Sequence, residues 1–80
     1  MSSALIYTRS LCSFCNHAKH ILLTQNITYK EVSIDGNDKL KNELIKKTGR
    51  KTVPQIWIDG KYIGGCDDLI DWIADQSMAK

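Results

Sequence analysis

A short apolar run, Ala4-Leu5-Ile6-Tyr7, leads through a few polar residues into Cys12-Ser13-Phe14-Cys15, and that pair opens a segment with Ala18, Ile21 and Leu22 on one helical face. This succession constrains the chain more than any other feature. A buried strand feeding a loop and then a helix places two thiols at a helix N-terminus, where unpaired N–H groups and the positive end of the dipole stabilise a thiolate. Two intervening residues put the second sulfur one turn beyond the first, close enough to resolve a mixed disulfide formed on the first. The pattern points to thiol redox chemistry.

Eighty residues are expected to form one domain, residues 1–80, around one modest core, and a hydrophobic fraction of 42% is ordinary for a globular chain. With 25% charged residues and a net charge of +2, the balance is too even for a nucleic-acid binder, although it suits anionic ligands. No apolar stretch approaches the roughly 20 residues needed to cross a bilayer, and the apolar run at 4–7 is too short for a signal peptide. Three cysteines cannot all pair within one chain. A reducing cytoplasm, no membrane and a monomer are therefore expected, and there a close cysteine pair is more often catalytic or metal-binding than a structural staple.

Periodicity predicts the order β-α-β-α-β-β-α. The first helix spans about Ser13 to Gln25, and Thr28 to Ile34 alternates as a second strand before the turn signal Asp35-Gly36-Asn37. Strand, helix and strand at this spacing make a parallel βαβ unit with a right-handed crossover. Asn37 or Asp38 caps a second helix that turns Leu40, Leu44 and Ile45 inward and Lys39, Lys41, Glu43, Lys46 and Lys47 outward, and Gly49 stops it. Gln55-Ile56-Trp57-Ile58 and Lys61-Tyr62-Ile63 flank Asp59-Gly60, a type I′ hairpin signature. Gly64-Gly65 breaks the strand, and Cys66-Asp67-Asp68 opens a last helix with Leu69, Ile70, Trp72 and Ile73 packing inward. The expected fold is α/β, a four-stranded mixed sheet flanked by three helices.

Of the two paired cysteines, Cys12 is the expected nucleophile, being at the loop end with Arg9 close in sequence, and Cys15, one turn into the helix, the expected resolving thiol. A zinc half-site or two inert buried thiols are the competing readings. Zinc would need four ligands, and Cys12, Cys15, His17 and His20 crowd into one stretch with no second distant pair, so no metal is expected and both histidines read as surface residues. Thr52-Val53-Pro54 holds the only proline, and since only about 5–6% of X–Pro bonds are cis, the tripeptide alone reads as a proline opening a strand.

Three blocks in order, Tyr7-Thr8-Arg9 before Cys12-x-x-Cys15, Gly49-Arg50-Lys51-Thr52-Val53-Pro54-Gln55, and Gly64-Gly65-Cys66-Asp67-Asp68, resemble the signatures of glutaredoxins, most nearly the small bacterial dithiol forms. The resemblance covers almost the whole chain. It implies a thioredoxin-like fold, a cis Pro54 beside the cysteine loop, and glutathione as co-substrate, with the Val53 backbone pairing to the tripeptide like an added strand. It further implies that the γ-glutamyl carboxylate rests on the N–H groups of Cys66 and Asp67, with Gly65 in the same site, that the Asp67 carboxylate faces the glutamyl ammonium, that Arg9 and Arg50 approach the glycine carboxylate, and that Thr52 lies in the same groove. Without it, Asp67 is a helix cap, Arg9 and Arg50 are solvated charges and Cys66 is a small apolar filler. Lys51 reads as a surface residue in either case.

The chain departs from the Pro-Tyr that many dithiol members carry between the cysteines. Ser13 frees a backbone N–H, while Phe14 keeps the aromatic wall without its hydroxyl. The function expected from the resemblance is a glutathione-dependent thiol–disulfide oxidoreductase acting on protein disulfides and glutathione mixed disulfides, with a ribonucleotide reductase among the substrates the family implies. The alternative, motivated by Ser13, is a dimer bridged by a [2Fe-2S] cluster on Cys12 and glutathione thiolates, acting as an iron–sulfur carrier or sensor. A thioredoxin is a weaker third reading, since Trp-Cys-Gly-Pro-Cys is missing and the Gly65-Cys66-Asp67 block is present.

Overall fold

The computed structural model describes residues 2–78, and the elements run β1 (Ser3–Thr8), α1 (Ser13–Thr24), β2 (Thr28–Ser33), α2 (Asp38–Thr48), β3 (Gln55–Ile58), β4 (Lys61–Gly64) and α3 (Cys66–Met78). The strands form one mixed sheet in the order β2-β1-β3-β4. β1 and β2 are parallel, from Ser3 opposite Thr28 to Thr8 opposite Ser33, as a crossover through α1 requires. β3 runs antiparallel to β1 and to β4. Asp59 and Gly60 carry φ of 51° and 82°, the left-handed pair of a type I′ turn.

The alternation of β1 divides the sheet into two faces. Ala4, Ile6 and Thr8 point one way, and Ala4 and Ile6, opposite Ile58 and Ile56, make the dry core with Ala18 and Leu22 of α1 and Leu69 of α3. Leu5 and Tyr7 point the other way, where Tyr7, Trp57 and Tyr62 form an aromatic row with centroid spacings of 5.4 and 4.8 Å. α2 covers that second face more loosely. Leu44 is buried and the Lys47 ammonium lies 5.3 Å from the Trp57 ring centroid, but a cavity of about 500 Å³ remains beside Leu5, Leu40 and Trp57.

Local chemistry explains where each helix stops. At the end of α1 the Ile27 N–H donates to the Leu22 carbonyl at 2.9 Å and the Asn26 N–H to Leu23 at 3.1 Å, with Asn26 at φ 58°, a Schellman motif whose flanking apolar pair, Leu22 and Ile27, joins the core. At the start of α2 the Asn37 side chain accepts the Leu40 N–H at 3.1 Å.

Four details correct the sequence reading. α1 ends at Thr24 rather than Gln25, because the Schellman turn takes over at that point. β2 ends at Ser33, although the Ile34 N–H still reaches the Thr8 carbonyl at 2.8 Å. Gly64 does not break β4 but closes it, paired with Ile56 across an irregularity in register. Ile70 is 44% exposed, because the buried stripe of α3 follows Leu69, Trp72 and Ile73 and leaves position 70 about 100° away from Leu69.

Leu69 is wholly buried where α3 meets the sheet. Leu69→Ala is expected to lower stability by about 2–5 kcal/mol, read as a fall in the urea midpoint at unchanged m-value. A midpoint equal to the parent's would show that α3 does not depend on this contact.

Candidate active site

Tyr7 pairs with Gln55 and Ile56 with Gly64, so the end of β1, the start of β3 and the end of β4 lie at one end of the sheet. The loops leaving these three points therefore converge. They bring together the cysteine pair, the segment 49–54 and the first turn of α3.

Cys12 is the N-cap of α1, with extended φ and ψ of −114° and 104°. Its sulfur takes the place that a Ser or Asp oxygen usually fills, accepting the Cys15 N–H at 3.2 Å. The preceding loop is anchored from β2: the Ser10 N–H donates to both carboxylate oxygens of Asp35 at 3.1 and 3.0 Å, and the Ser10 hydroxyl donates to the same carboxylate. Across this end of the sheet, the Cys12 sulfur lies 3.9 Å from the Val53 carbonyl oxygen, and the Val53–Pro54 peptide bond is cis.

The two thiols are driven apart in acidity. Burial resists the charged form of Cys12, yet hydrogen bonds from the Cys15 thiol and N–H, with the Arg9 guanidinium adding a hydrogen bond and its charge, bring the thiol below its ordinary value. Cys15 is pushed up to about 12 by burial first, then by its hydrogen bond to Cys12 and the neighbouring sulfur's charge. Exposure follows the same order, 7% for Cys12 and 1% for Cys15. One sulfur is poised to attack and the other holds its proton.

Beside Cys12 opens a cleft of about 560 Å³ lined by Arg9, Phe14, Arg50, Thr52, Val53, Pro54, Gly65, Cys66 and Asp67. Every residue proposed from sequence for ligand contact borders this space, and Cys15 alone of the named site residues stays behind it, buried. Val53 and Pro54 are shielded and Phe14 is 63% exposed. Cys66 belongs to the core cluster, and its thiol is held above the ordinary value by burial, then by the charges of Asp67 and Cys12. That thiol stays protonated. His17 and His20 are exposed on α1, and among the described residues no three His, Cys, Asp or Glu side chains converge on a metal-sized site.

The far end of the cleft is the first turn of α3. The Gly65 carbonyl accepts the Leu69 N–H at 3.0 Å, and Asp68 reaches back to accept the Gly65 N–H at 3.0 Å, half of a capping box. The N–H groups of Cys66 and Asp67 have no carbonyl one turn back within the helix to meet them. Gly64, at φ 122°, lies against this cap: a Cβ there would stand 2.7 Å from the Asp68 Cγ. Arg50 donates from Nη1 to the same Asp68 oxygen at 2.6 Å, and the guanidinium, followed by the Gly65 N–H, holds the Asp68 carboxyl below the usual range. The sequence reading sends Arg50 to the glycine end, whereas the structure ties it to the helix end that carries Asp67.

Residues outside the expected set also serve the site. Lys41 reads as a solvated helix position, Lys51 as a surface residue and Ile34 as a strand residue, yet all three line the cleft, Lys41 because it lies in the first turns of α2. Gln55, almost wholly buried, donates from Nε2 to the Arg50 carbonyl at 3.0 Å and the Thr52 carbonyl at 3.1 Å, fixing the segment that bears Val53 and Pro54. In sequence Gln55 stands out as a polar residue opening an apolar strand, and it closes the second block of the family resemblance.

The sequence model of the glutaredoxin family matches residues 4–63, which spans both the cysteine pair and the Pro54 segment. Glutaredoxin 3 of Escherichia coli K12 is 48% identical over 69 residues, covering 86% of this chain and 83% of that protein. A glutaredoxin of Pseudomonas aeruginosa is 44% identical over 69 residues, with coverage of 86% and 82%. Among solved structures, the buckwheat glutaredoxin–glutathione complex superposes with a TM-score of 0.86 at 26% identity over 98% of this chain and 74% of that one. Glutaredoxin 1 from Francisella tularensis, complexed with cacodylate, gives 0.81 at 33% identity with full coverage of both chains. The observed sheet and helices are thus a thioredoxin-like fold.

The split acidity makes a titration decisive. Alkylation of Cys12 by iodoacetamide is expected to follow one ionisation with its midpoint below that of an ordinary thiol, and Arg9→Met and Cys15→Ala are each expected to move that midpoint upward. Mass spectrometry of the quenched protein locates the label, and a midpoint indifferent to both substitutions would remove their assigned part in holding the thiolate.

Proposed function

The chain belongs to the glutaredoxin family and is a thiol oxidoreductase, and on that premise we propose that it uses glutathione to reduce protein disulfides and glutathione mixed disulfides through Cys12 and Cys15. One observation carries the reading: a thiol of lowered pKa lines a cleft wide enough for a tripeptide, and a thiol raised to about 12 is buried one helical turn behind it.

With a glutathione mixed disulfide, the Cys12 thiolate attacks the glutathione sulfur, a Cys12–glutathione bond forms, and the substrate sulfur leaves with the electron pair and takes up a proton. A second glutathione, as thiolate, then attacks the bound glutathione sulfur, giving oxidised glutathione and returning Cys12 as thiolate. With a protein disulfide, Cys12 instead becomes linked to a substrate sulfur and Cys15 attacks the Cys12 sulfur. The proton held by Cys15 is easier to lose at that stage, since two of the influences that raise its pKa, the hydrogen bond to the Cys12 sulfur and that sulfur's charge, vanish once Cys12 is in a disulfide. The Cys12–Cys15 disulfide forms as the last substrate thiol departs, and two glutathiones restore the dithiol.

The cleft offers complementary groups along its length. The N–H groups of Cys66 and Asp67 suit the γ-glutamyl carboxylate and the Asp67 side chain its ammonium. Val53 presents backbone for strand-like pairing and Phe14 and Pro54 supply apolar surface. Arg9, Thr52 and Lys41 suit the glycine carboxylate, while Arg50, paired to Asp68, braces the helix end that receives the glutamyl group. The buckwheat relative, whose structure is a complex with glutathione, supports glutathione as the ligand. An odd number of cysteines, three, suits a reducing cytoplasm. The approach of the Cys15 thiol and N–H to Cys12 favours the dithiol exchanger over the cluster-bridged dimer.

Cys12→Ser is expected to lower glutathione-coupled reduction of a small mixed disulfide by about a thousandfold or more, with Cys15→Ser keeping that activity but losing reduction of protein disulfides. The assay follows oxidised glutathione through glutathione reductase. Full activity in Cys12→Ser, or turnover with no need for glutathione, would defeat the proposal.

A further inference from the structure

Leu11 and Phe14 are the large apolar side chains on either side of Cys12 in sequence, and both stand in solvent, Leu11 at 103% exposure and Phe14 at 63%. Neither packs on the core cluster. Leu11 also holds φ at 56°, a left-handed conformation unfavourable for a residue with a branched side chain. Folding therefore gains nothing from this leucine, and an apolar side chain held in water beside a reactive sulfur suits contact with another molecule better than it suits the chain's own stability.

Charge around the ridge has one sign in excess. Arg9, Lys41, Arg50 and Lys51 border the cleft against Asp67 and Asp68, and Arg50 is already engaged by Asp68. With glutathione seated, its glycine carboxylate takes Arg9 and Lys41 and its ammonium takes Asp67, which leaves Lys51 as the rim cation that faces a partner segment. An approaching segment is favoured if it brings negative charge to a rim that is otherwise apolar.

We infer that Leu11 and Phe14 form a docking ridge for an extended segment of a partner protein, selecting segments with an apolar side chain beside the reacting cysteine and a carboxylate within a few residues of it. The inference rests on the exchange reaction proposed for Cys12. A segment modified by glutathione seats its apolar side chain on Leu11, the Cys12 thiolate attacks the glutathione sulfur, and the segment sulfur leaves with the bonding electron pair and takes a proton from water. Leu11 serves as a specificity-determining residue because it touches the part of the substrate that free glutathione lacks.

The test uses the full chain, its Leu11→Ser variant and two glutathionylated ten-residue peptides, one with Leu beside the cysteine and Asp nearby, the other with Ser and Lys in those places. The parent is expected to prefer the first peptide by about fivefold or more in kcat/KM, and Leu11→Ser to erase most of that preference while changing turnover of the glutathione–mercaptoethanol mixed disulfide by less than about twofold. Equal rates on the two peptides in the parent, or an equal loss on peptide and small disulfide in the variant, would overturn the inference. Docking is also read without chemistry, by NMR titration with the Leu/Asp peptide carrying Ser for Cys. Amide shifts centred on Leu11 and Phe14 that weaken at high salt and in Leu11→Ser support the ridge, and their absence rejects it. Such shifts in a protein inactive on the small disulfide would refute the proposed reaction while leaving the docking surface in place.

Discussion

The hydrogen bond from the Cys15 N–H to the Cys12 sulfur joins the folding of this chain to its chemistry. A helix must satisfy or solvate its first N–H groups, and a cap side chain that does so contributes about 0.5–2 kcal/mol in ordinary cases. Here the capping atom is the nucleophile. A charged acceptor makes the stronger hydrogen bond, so the thiolate and the helix start support each other, and the Arg9 guanidinium adds to the same balance. Converting Cys12 to a disulfide removes the charge, weakens the cap and eases the proton from Cys15, which links the two half-reactions through one contact.

Holding that sulfur in place requires the sheet. β1 ends beside the last residues of segment 49–54 and the turn into α3 only because β3 pairs antiparallel to it and β4 pairs to β3. The side groups that fix the loops are polar and local: Asp35 holds Ser10, Gln55 holds the carbonyls of residues 50 and 52, and Asp68 holds both Gly65 and Arg50. Each ties a loop of one element to another. The dry core of Ala4, Ile6, Leu22, Ile56 and Leu69 sets the frame, and these few bonds set the cleft.

The two faces of the sheet are finished to different standards. The face under α1 and α3 is close-packed, whereas the face under α2 keeps an aromatic row, one cation over an indole and residual space. The site draws chiefly on the well-packed side, with both α1 and α3 beginning at the cleft. α2 contributes only the edge of its first turns, through Lys41.

Sequence by itself determined the order of elements, the hairpin at Asp59-Gly60 and the pairing of Cys12 with Cys15 across one turn, because each depends on residues within a few positions of one another. It also marked the residues that border the cleft, since their blocks resemble those of a known family. Tertiary structure alone decided the rest. Lys41 turns from a surface lysine into a cleft residue through the path of α2, Arg50 finds Asp68 across 18 positions of sequence, and Gln55 becomes a brace for its neighbours. The opposite acidities of the two thiols belong to the same class, for they arise from burial and from groups brought within reach by the converging loops, and neither burial nor distance is a property of residue order.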